Sequence, residues 1–418
     1  MSLAISVFID LNGRPKKVGR LWTRVRAGKE TASFEYESTW LQSQERFPLE
    51  PGLSLTSDSF HTDEVQSIFG SIGDSAPDRW GRTLMRRAER KRATRENRQP
   101  RTLFEADFLL LVDDETRQGA MRFKTDDDGP FLSNDPDQRV PPFIELPRLL
   151  AASERVLEEN ETDEDLKLLL APGSSLGGAR PKASVRNRGG RLCLAKFPSA
   201  TDEFDVVSWE ALALTLARRS GIDVPDWSVE KIGNRKVLVI ERFDRTGAKR
   251  IPFLSAMSML SSRDNETRSY LEIADSLRMH GDQPRTDLKE LWRRIVFNIL
   301  ISNTDDHLRN HGFLFFGGSG WRLSPAYDLN PTPLEFKPRY LSTAIDLEDT
   351  WASIDLAMET AGYYGLKVDE AKEVVKAVGS EVRNWRLHAS QIGISGPEME
   401  RMASAFEHDD LRKASSII

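Results

Sequence analysis

The chain has 418 residues, and at about 150 residues per domain two or three lobes are expected rather than one core. Hydrophobic residues make up 39% and glycine adds 27 residues, an ordinary globular balance that excludes global disorder, while the net charge of −6 gives no whole-chain sign of a nucleic-acid or membrane partner. The single cysteine, Cys193, cannot form an internal disulfide or a thiolate metal cage, so a reducing compartment and hence the cytoplasm are expected.

The opening MSLAISVFIDLNGRP has only a short apolar run before Asp10 and no basic run, so it is not expected to act as a secretory signal. No stretch reaches the roughly 18 apolar residues of a membrane span, and a soluble protein is expected. Residues 3–10 and 18–23 flank Asn12-Gly13, a turn dipeptide, and predict a β-hairpin. Residues 78–101 carry ten Arg/Lys around a thin stripe of Trp80, Leu84 and Met85, predicting a basic helix that ends before Pro100. Strands are predicted at 104–112 and near 120–123. The Asp-, Gly- and Pro-rich segment 126–142 reads as a linker and a domain boundary. The acidic run 158–165 reads as solvated surface.

From Lys182 to Asp244 the pattern is hairpin, helix, strand. ASVRNRGGRLCLAKFP turns at Gly189-Gly190, VVSWEALALTLARRSG is a helix closed by Gly221, and VLVIERFDR is a buried strand. Residues 251–418 are mostly helical, with one hairpin in HGFLFFGGSGWRLSPAYDL. The expected domains are therefore 1–130, 140–245 and 246–418.

Chemistry concentrates in NTDDHLRN at 303–310, directly after an apolar helix. Asp305 and Asn310 have the Asp, four residues, Asn spacing of a kinase catalytic loop, in which the Asp accepts the substrate hydroxyl proton and the Asn holds Mg²⁺. A hairpin and then Asp328, within Asp328-Leu329-Asn330, come next, in the order of a kinase metal-binding Asp. Upstream, Lys196 lies in the apolar strand LCLAKFP and needs an anionic partner, which Glu210 on the next helix can provide; strand Lys and helix Glu together grip nucleotide phosphates in kinases. GSSLGGARPK at 173–182 has the spacing of a Walker loop, but Ala179 and Arg180 stand where Lys and Ser/Thr belong, so a P-loop NTPase is not expected. His307 and His311 beside Asp305 and Asp306 leave a metal-hydrolase site as an alternative, disfavoured because the hairpin from Gly312 leaves little helix.

Taken together, LNGRPKKVGRL, GDSAPDRWGRTLM, SLGGARPK, LAKFP, SGIDVP, VIERFDR, NTDDHLRNHGFL and SPAYDLNP make the chain resemble, over nearly its whole length, the HipA family of bacterial serine/threonine kinase toxins of toxin–antitoxin systems. The resemblance implies an α+β, two-lobed protein-kinase-like fold with an added N-terminal α+β domain and a mostly helical C-terminal lobe. ATP and Mg²⁺ are the implied cofactors, and phosphorylation of a protein on serine or threonine the implied activity. It casts Asp305 as the catalytic base, Arg309 as a catalytic cation where the family has Lys, and Asn310 and Asp328 as metal ligands. Lys196 becomes the phosphate grip, Glu241 with Phe243 the adenine hinge, and Ser175, Gly177, Gly178, Ala179, Glu210 and His307 further nucleotide-binding residues. Ser175, or its neighbour Ser174, is similar to a serine that such kinases phosphorylate on themselves, where the added charge would displace the Gly-rich loop. The implied partners are a HipB-like helix-turn-helix antitoxin, operator DNA through that complex, and a protein substrate such as an aminoacyl-tRNA synthetase. Two alternatives stay open: a catalytically silent, kinase-like corepressor that uses the basic helix on DNA, and a small-molecule phosphotransferase.

Overall fold

A computed structural model describes residues 2–63, 65–133, 140–170, 178–264 and 266–417. The chain divides into two compact units, Met1–Thr201 with Glu230–Leu254, and Asp202–Val229 with Ser255–Ile418. Among the described residues no helix is long and apolar enough to cross a membrane.

The first unit opens on the expected hairpin. Strands β1 (Ser2–Leu11) and β2 (Arg14–Arg26) are antiparallel and joined at Asn12 and Gly13, both at positive φ, as a two-residue turn of matching twist requires. β3 (Lys29–Tyr36), β4 (Phe60–His61) and β5 (Met121–Lys124) complete a sheet of order β4-β3-β2-β1-β5. Ile5, Val7 and Ile9 alternate onto its buried face. Gly19 is required at the β2–β3 contact, because a Cβ there would lie 2.3 Å from the Glu35 carbonyl oxygen. The loop after β5 is held to the sheet by Asp127, which pairs with Lys17 and Arg20; the segment 134–139 of the expected linker lies outside the described residues.

The strand expected at 104–112 is instead the helix Glu105–Leu111. Its first N–H groups are satisfied from a distance: the Glu30 carboxylate on β3 accepts from the backbones of Glu105 and Ala106, and Asp107 accepts from Phe104. A cap supplied by a residue so far along the chain has no local signature, and a short apolar run alone fits either element.

The basic helix, Arg79–Arg95, buries Trp80, Leu84 and Met85 as expected. The acidic run is not free surface, however. Glu161 and Glu159 pair with Arg87, Asp163 pairs with Arg95, and Asp165 pairs with Arg155. Trp80 and Leu84 join one core with the helix Leu146–Leu157, the helix Asp163–Leu170 and the sheet formed by β6 (Lys182–Arg186), β7 (Leu192–Lys196), β8 (Trp227–Ile232) and β9 (Arg235–Glu241), in the order β6-β7-β9-β8. β6 and β7 turn at Gly189-Gly190, with Gly190 at φ +77°.

Two buried charge clusters fasten this unit. Lys182 Nζ lies 2.8 Å from Asp78 Oδ2, both side chains almost wholly buried, and Trp80 Nε1 donates to the Lys182 carbonyl. Beyond β9, Asp244 is gripped by Arg242 and Arg245 and accepts from the Gly119 backbone, while Asp114 pairs with Arg122 and Arg250. Burial works to raise the Asp244 pKa, but the two guanidinium groups hold it below the carboxylate range.

The second unit is mostly helical, as expected from the sequence. Its helix Val206–Arg219 is capped by Asp205, which accepts from Ser208 N, and is closed by Gly221 at φ +76°. Trp209 packs near Phe406, which stacks on Trp385 with centroids 4.6 Å apart. The helix Pro284–Leu300 is buried almost all round through Leu291, Trp292, Ile295, Val296, Phe297 and Ile299, so its end is a rigid platform for the 303–310 loop.

Candidate active site

The chain leaves that platform at Ser302, whose φ of 52° turns it sharply. Ser302 Oγ donates to the Ala405 carbonyl and accepts from Arg339 Nε, while Arg339 also donates to the Ile299 carbonyl and pairs with Asp410 at 2.7 Å. His408 Nε2 lies 3.2 Å from the Leu300 carbonyl, and its Nδ1 accepts from Leu411 N, so the neutral ring fits this site. Burial, with Arg339 nearby, lowers its pKa to about 4. Because this folded-state value lies below the ordinary 6.5, stability is full above about pH 6.5 and is lost as pH falls towards 4, by about 3 kcal/mol at one pKa unit per 1.36 kcal/mol. Denaturant titrations between pH 7 and 4 are expected to show this loss, and His408→Gln to flatten it.

Asp306 anchors the loop from below. Its buried Oδ2 accepts from Tyr270 Oη and from Asn298 Nδ2 at 2.7 Å, and lies 3.0 Å from His311 Nε2. Burial alone would raise this carboxyl, but His311 and Tyr270 hold it below the ordinary range; burial and Asp306 together drive the Tyr270 phenol far up, so it stays a donor. The backbone on both sides of Asp305 is held as well: Ser342 Oγ donates to the Thr304 carbonyl and Thr343 Oγ1 to the Asp306 carbonyl. Asp305 itself is exposed, its carboxylate at the surface of a fixed loop.

Asn310 is buried, and its Nδ2 donates to the Asp305 carbonyl at 3.0 Å, which fixes the amide so that Oδ1 faces the other way. That oxygen is buried without a hydrogen-bond partner among the described residues, as are Thr304 Oγ1, His307 Nδ1 and His311 Nδ1 of the same loop. Buried polar atoms are normally paired, and a group of exceptions within eight residues points to a function.

Asp328 is brought to this loop. Tyr327 Oη donates to the Arg309 carbonyl at 2.7 Å, and Asn330 N donates to Asn303 Oδ1 at 3.4 Å, so the residues around Asp328 are both hydrogen-bonded to 303–310. Asp328 has φ 58°, a conformation uncommon outside glycine, and accepts from Asn330 Nδ2. Arg309 is exposed and paired with Asp264.

The remaining expected site residues are spread over both units. Glu210 is buried on the helix Val206–Arg219 of the second unit. In the first unit, Lys196 ends β7 half-buried, directly opposite Lys182. Glu241 ends β9 and accepts from Asn187 Nδ2 and Arg191 Nη1, and Phe243 packs near Phe253. Gly178, at φ +96°, and Ala179 are exposed, while Ser174, Ser175 and Gly177 lie outside the described residues. His311, half of the alternative hydrolase metal pair, spends its Nε2 on Asp306, and no metal-binding group of three His, Cys, Asp or Glu occurs among the described residues. Sequence reasoning assigns no role to Asn303, Tyr270 or Arg339, and names Asp306 only within the hydrolase alternative. Asn303 and Asp306 do lie within the 303–310 motif.

An amide oxygen and a carboxylate are hard donors, the chemistry suited to Mg²⁺ held with phosphate oxygens and water rather than by a closed protein cage. Asn310 Oδ1, buried without a hydrogen-bond partner among the described residues, fits that role, and Asp328 lies in the segment that Tyr327 and Asn330 hydrogen-bond to the same loop.

Comparison with known proteins gives the fold and the family. Over 403 residues, 88% of this chain and 82% of the relative, the chain is 25% identical to "Putative kinase Y4mE" of Sinorhizobium fredii. A Haemophilus influenzae relative of similar name is 24% identical over 197 residues, 41% of this chain and 57% of its own length. A chain of the Shewanella oneidensis MR-1 complex of HipA, HipB and operator DNA superposes with a TM-score of 0.63 at 16% identity, covering 98% of this chain and 96% of that one. The HipA-like C-terminal domain family matches residues 174–386, just over half of the sequence and inclusive of every candidate site residue from Lys196 to Asp328, so the chain belongs to that family.

Proposed function

We propose that this protein is an ATP- and Mg²⁺-dependent serine/threonine protein kinase, the HipA-like toxin of a type II toxin–antitoxin system. The observation that carries the reading is the buried, unpartnered Oδ1 of Asn310 beside the Asp328 loop, with Asp305 presented on the same fixed loop. In the reaction the acceptor hydroxyl oxygen bonds to the γ-phosphorus of ATP, the bond from that phosphorus to the bridging oxygen of ADP breaks, and the hydroxyl proton passes to the Asp305 carboxylate. Asn310 orients the Asp305 backbone, Asn310 Oδ1 and Asp328 would hold the metal, and Asp306 with its three neighbours keeps the loop from relaxing. Mg²⁺ when bound neutralises charge on the phosphates. Lys196 and Glu210 serve the α- and β-phosphates, and Glu241 with Phe243 the adenine, with Gly177, Gly178, Ala179, His307 and Arg309 completing the nucleotide contacts. Ser175, or Ser174, is the self-phosphorylation site.

The proposed partners are a HipB-like antitoxin with operator DNA, by likeness to the Shewanella complex, and as substrate a translation component such as an aminoacyl-tRNA synthetase; the proposed setting is the cytoplasm. Purified protein given labelled ATP and Mg²⁺ is expected to label serine or threonine in protein. Label found only on small alcohols or aminoglycosides would overturn the reading in favour of a small-molecule phosphotransferase.

The silent-corepressor alternative draws no support from the basic helix, because Arg82, Arg87, Arg92 and Arg95 already pair with carboxylates and Arg86 lies over the Phe108 ring. Replacing Arg86, Arg87, Arg90 and Arg92 by Ala is expected to cost about 1 kcal/mol of stability, chiefly through the half-buried Arg87 pair, and to leave the salt dependence of operator binding unchanged. Denaturation and filter binding at several salt concentrations check it.

A further inference from the structure

Residues 339–352 of the second unit form a hairpin-like loop. Leu341 N donates to the Thr350 carbonyl, Ile345 N to the Asp349 carbonyl and Ala352 N to the Arg339 carbonyl, and the Tyr340 and Trp351 rings meet edge to face at 5.1 Å across it. Its inner side faces the 303–310 loop, with Ser342 and Thr343 holding the carbonyls that flank Asp305. The other side carries Tyr340, Leu347 and Trp351, which are 50%, 73% and 44% exposed. Single exposed apolar residues are ordinary; three on one short, hydrogen-bonded loop rooted beside a candidate base are not.

The charge around them is one-sided. Asp346, Glu348 and Asp349 intersperse the apolar side chains and form no ion pair among the described residues; Asp346 accepts from the Glu348 and Asp349 backbones, and Asp349 from that of Trp351. Nearby cations are engaged elsewhere: Arg339 with Asp410, Arg268 with Glu266 and Glu272, and Lys337 on the Thr304 carbonyl. An apolar surface with an aromatic centre and an acidic rim complements a segment that carries an apolar side chain flanked by Lys or Arg.

We infer that this loop docks a basic, leucine- or aromatic-bearing segment of the protein that receives the phosphoryl group. The inference rests on the kinase reading for the identity of that protein, and its test is separable from it. Fluorescence anisotropy with a labelled synthetic peptide carrying a serine, a leucine and flanking lysines measures docking without turnover. Leu347→Ser and Glu348→Lys, whose side chains make no hydrogen bond within the loop, are each expected to weaken binding about tenfold, the effect of one apolar side chain or one charge contact. Leu347→Met should restore it, and in turnover assays the peptide KM should rise with kcat and ATP affinity unchanged. Variants that bind the lysine peptide as the wild type does, or a wild type that binds the glutamate-substituted peptide equally well, would overturn the proposal. Binding that weakens in the variants without any phosphoryl transfer would support the docking surface and count against the kinase reading.

Discussion

Asp305→Asn is expected to lower the rate of phosphoryl transfer about 10³-fold while leaving ATP affinity within about twofold of wild type. Asn is isosteric and preserves the backbone carbonyl that Asn310 Nδ2 grips, so the loop keeps its shape. In the proposed mechanism what is lost is the acceptor of the hydroxyl proton, a contribution of typically 10²–10⁴, or about 4 kcal/mol of barrier for 10³. Single-turnover kinetics separate this from a binding defect. Asp306→Asn should behave differently: the buried oxygen that Tyr270, Asn298 and His311 share loses its charge, so stability falls together with activity.

The largest effect on stability is expected at Asp78. Asp78→Ala leaves the Lys182 ammonium, 2% exposed, buried without its carboxylate, at a cost of about 3–5 kcal/mol, and also removes the side chain that caps the basic helix through Gly81 N, worth about 1 kcal/mol. Asp78→Asn keeps a cap and loses the charge, so the difference between the two variants isolates the cap. Adding Lys182→Met to Asp78→Ala should recover most of the loss, since a methionine stem fills the same space without a buried charge. Chemical denaturation of the three variants reads these differences directly.

Features set by residues a few positions apart are the ones legible from sequence. The Asn12-Gly13 hairpin, the turn at Gly189-Gly190, the helix Val206–Arg219 and the buried strand before Arg242 rest on turn residues and periodicity, and the structure has all of them. The grouping of Asp305, Asn310 and Asp328 also comes from spacing, because the intervening hairpin is short. Features that escape depend on partners far away in the chain. The helix at Glu105 is capped by Glu30, Lys182 is neutralised by Asp78, and Glu161 and Asp163 of the acidic run pair with the basic helix. Two stretches of opposite charge, each read alone, look like two solvated surfaces; only packing of one against the other reveals a shared interface. Likewise nothing local marks Arg339 as the group that ties the start of the 303–310 loop to Asp410.

Calorimetric titration of ATP into the wild type and Asn310→Ala, with and without Mg²⁺, is the most direct test of the metal role assigned to the unpartnered Oδ1. Wild type is expected to bind ATP much more tightly when Mg²⁺ is present, and Asn310→Ala to lose most of that Mg²⁺-dependent gain while binding metal-free ATP as before. Equal gains from Mg²⁺ in both proteins would contradict it.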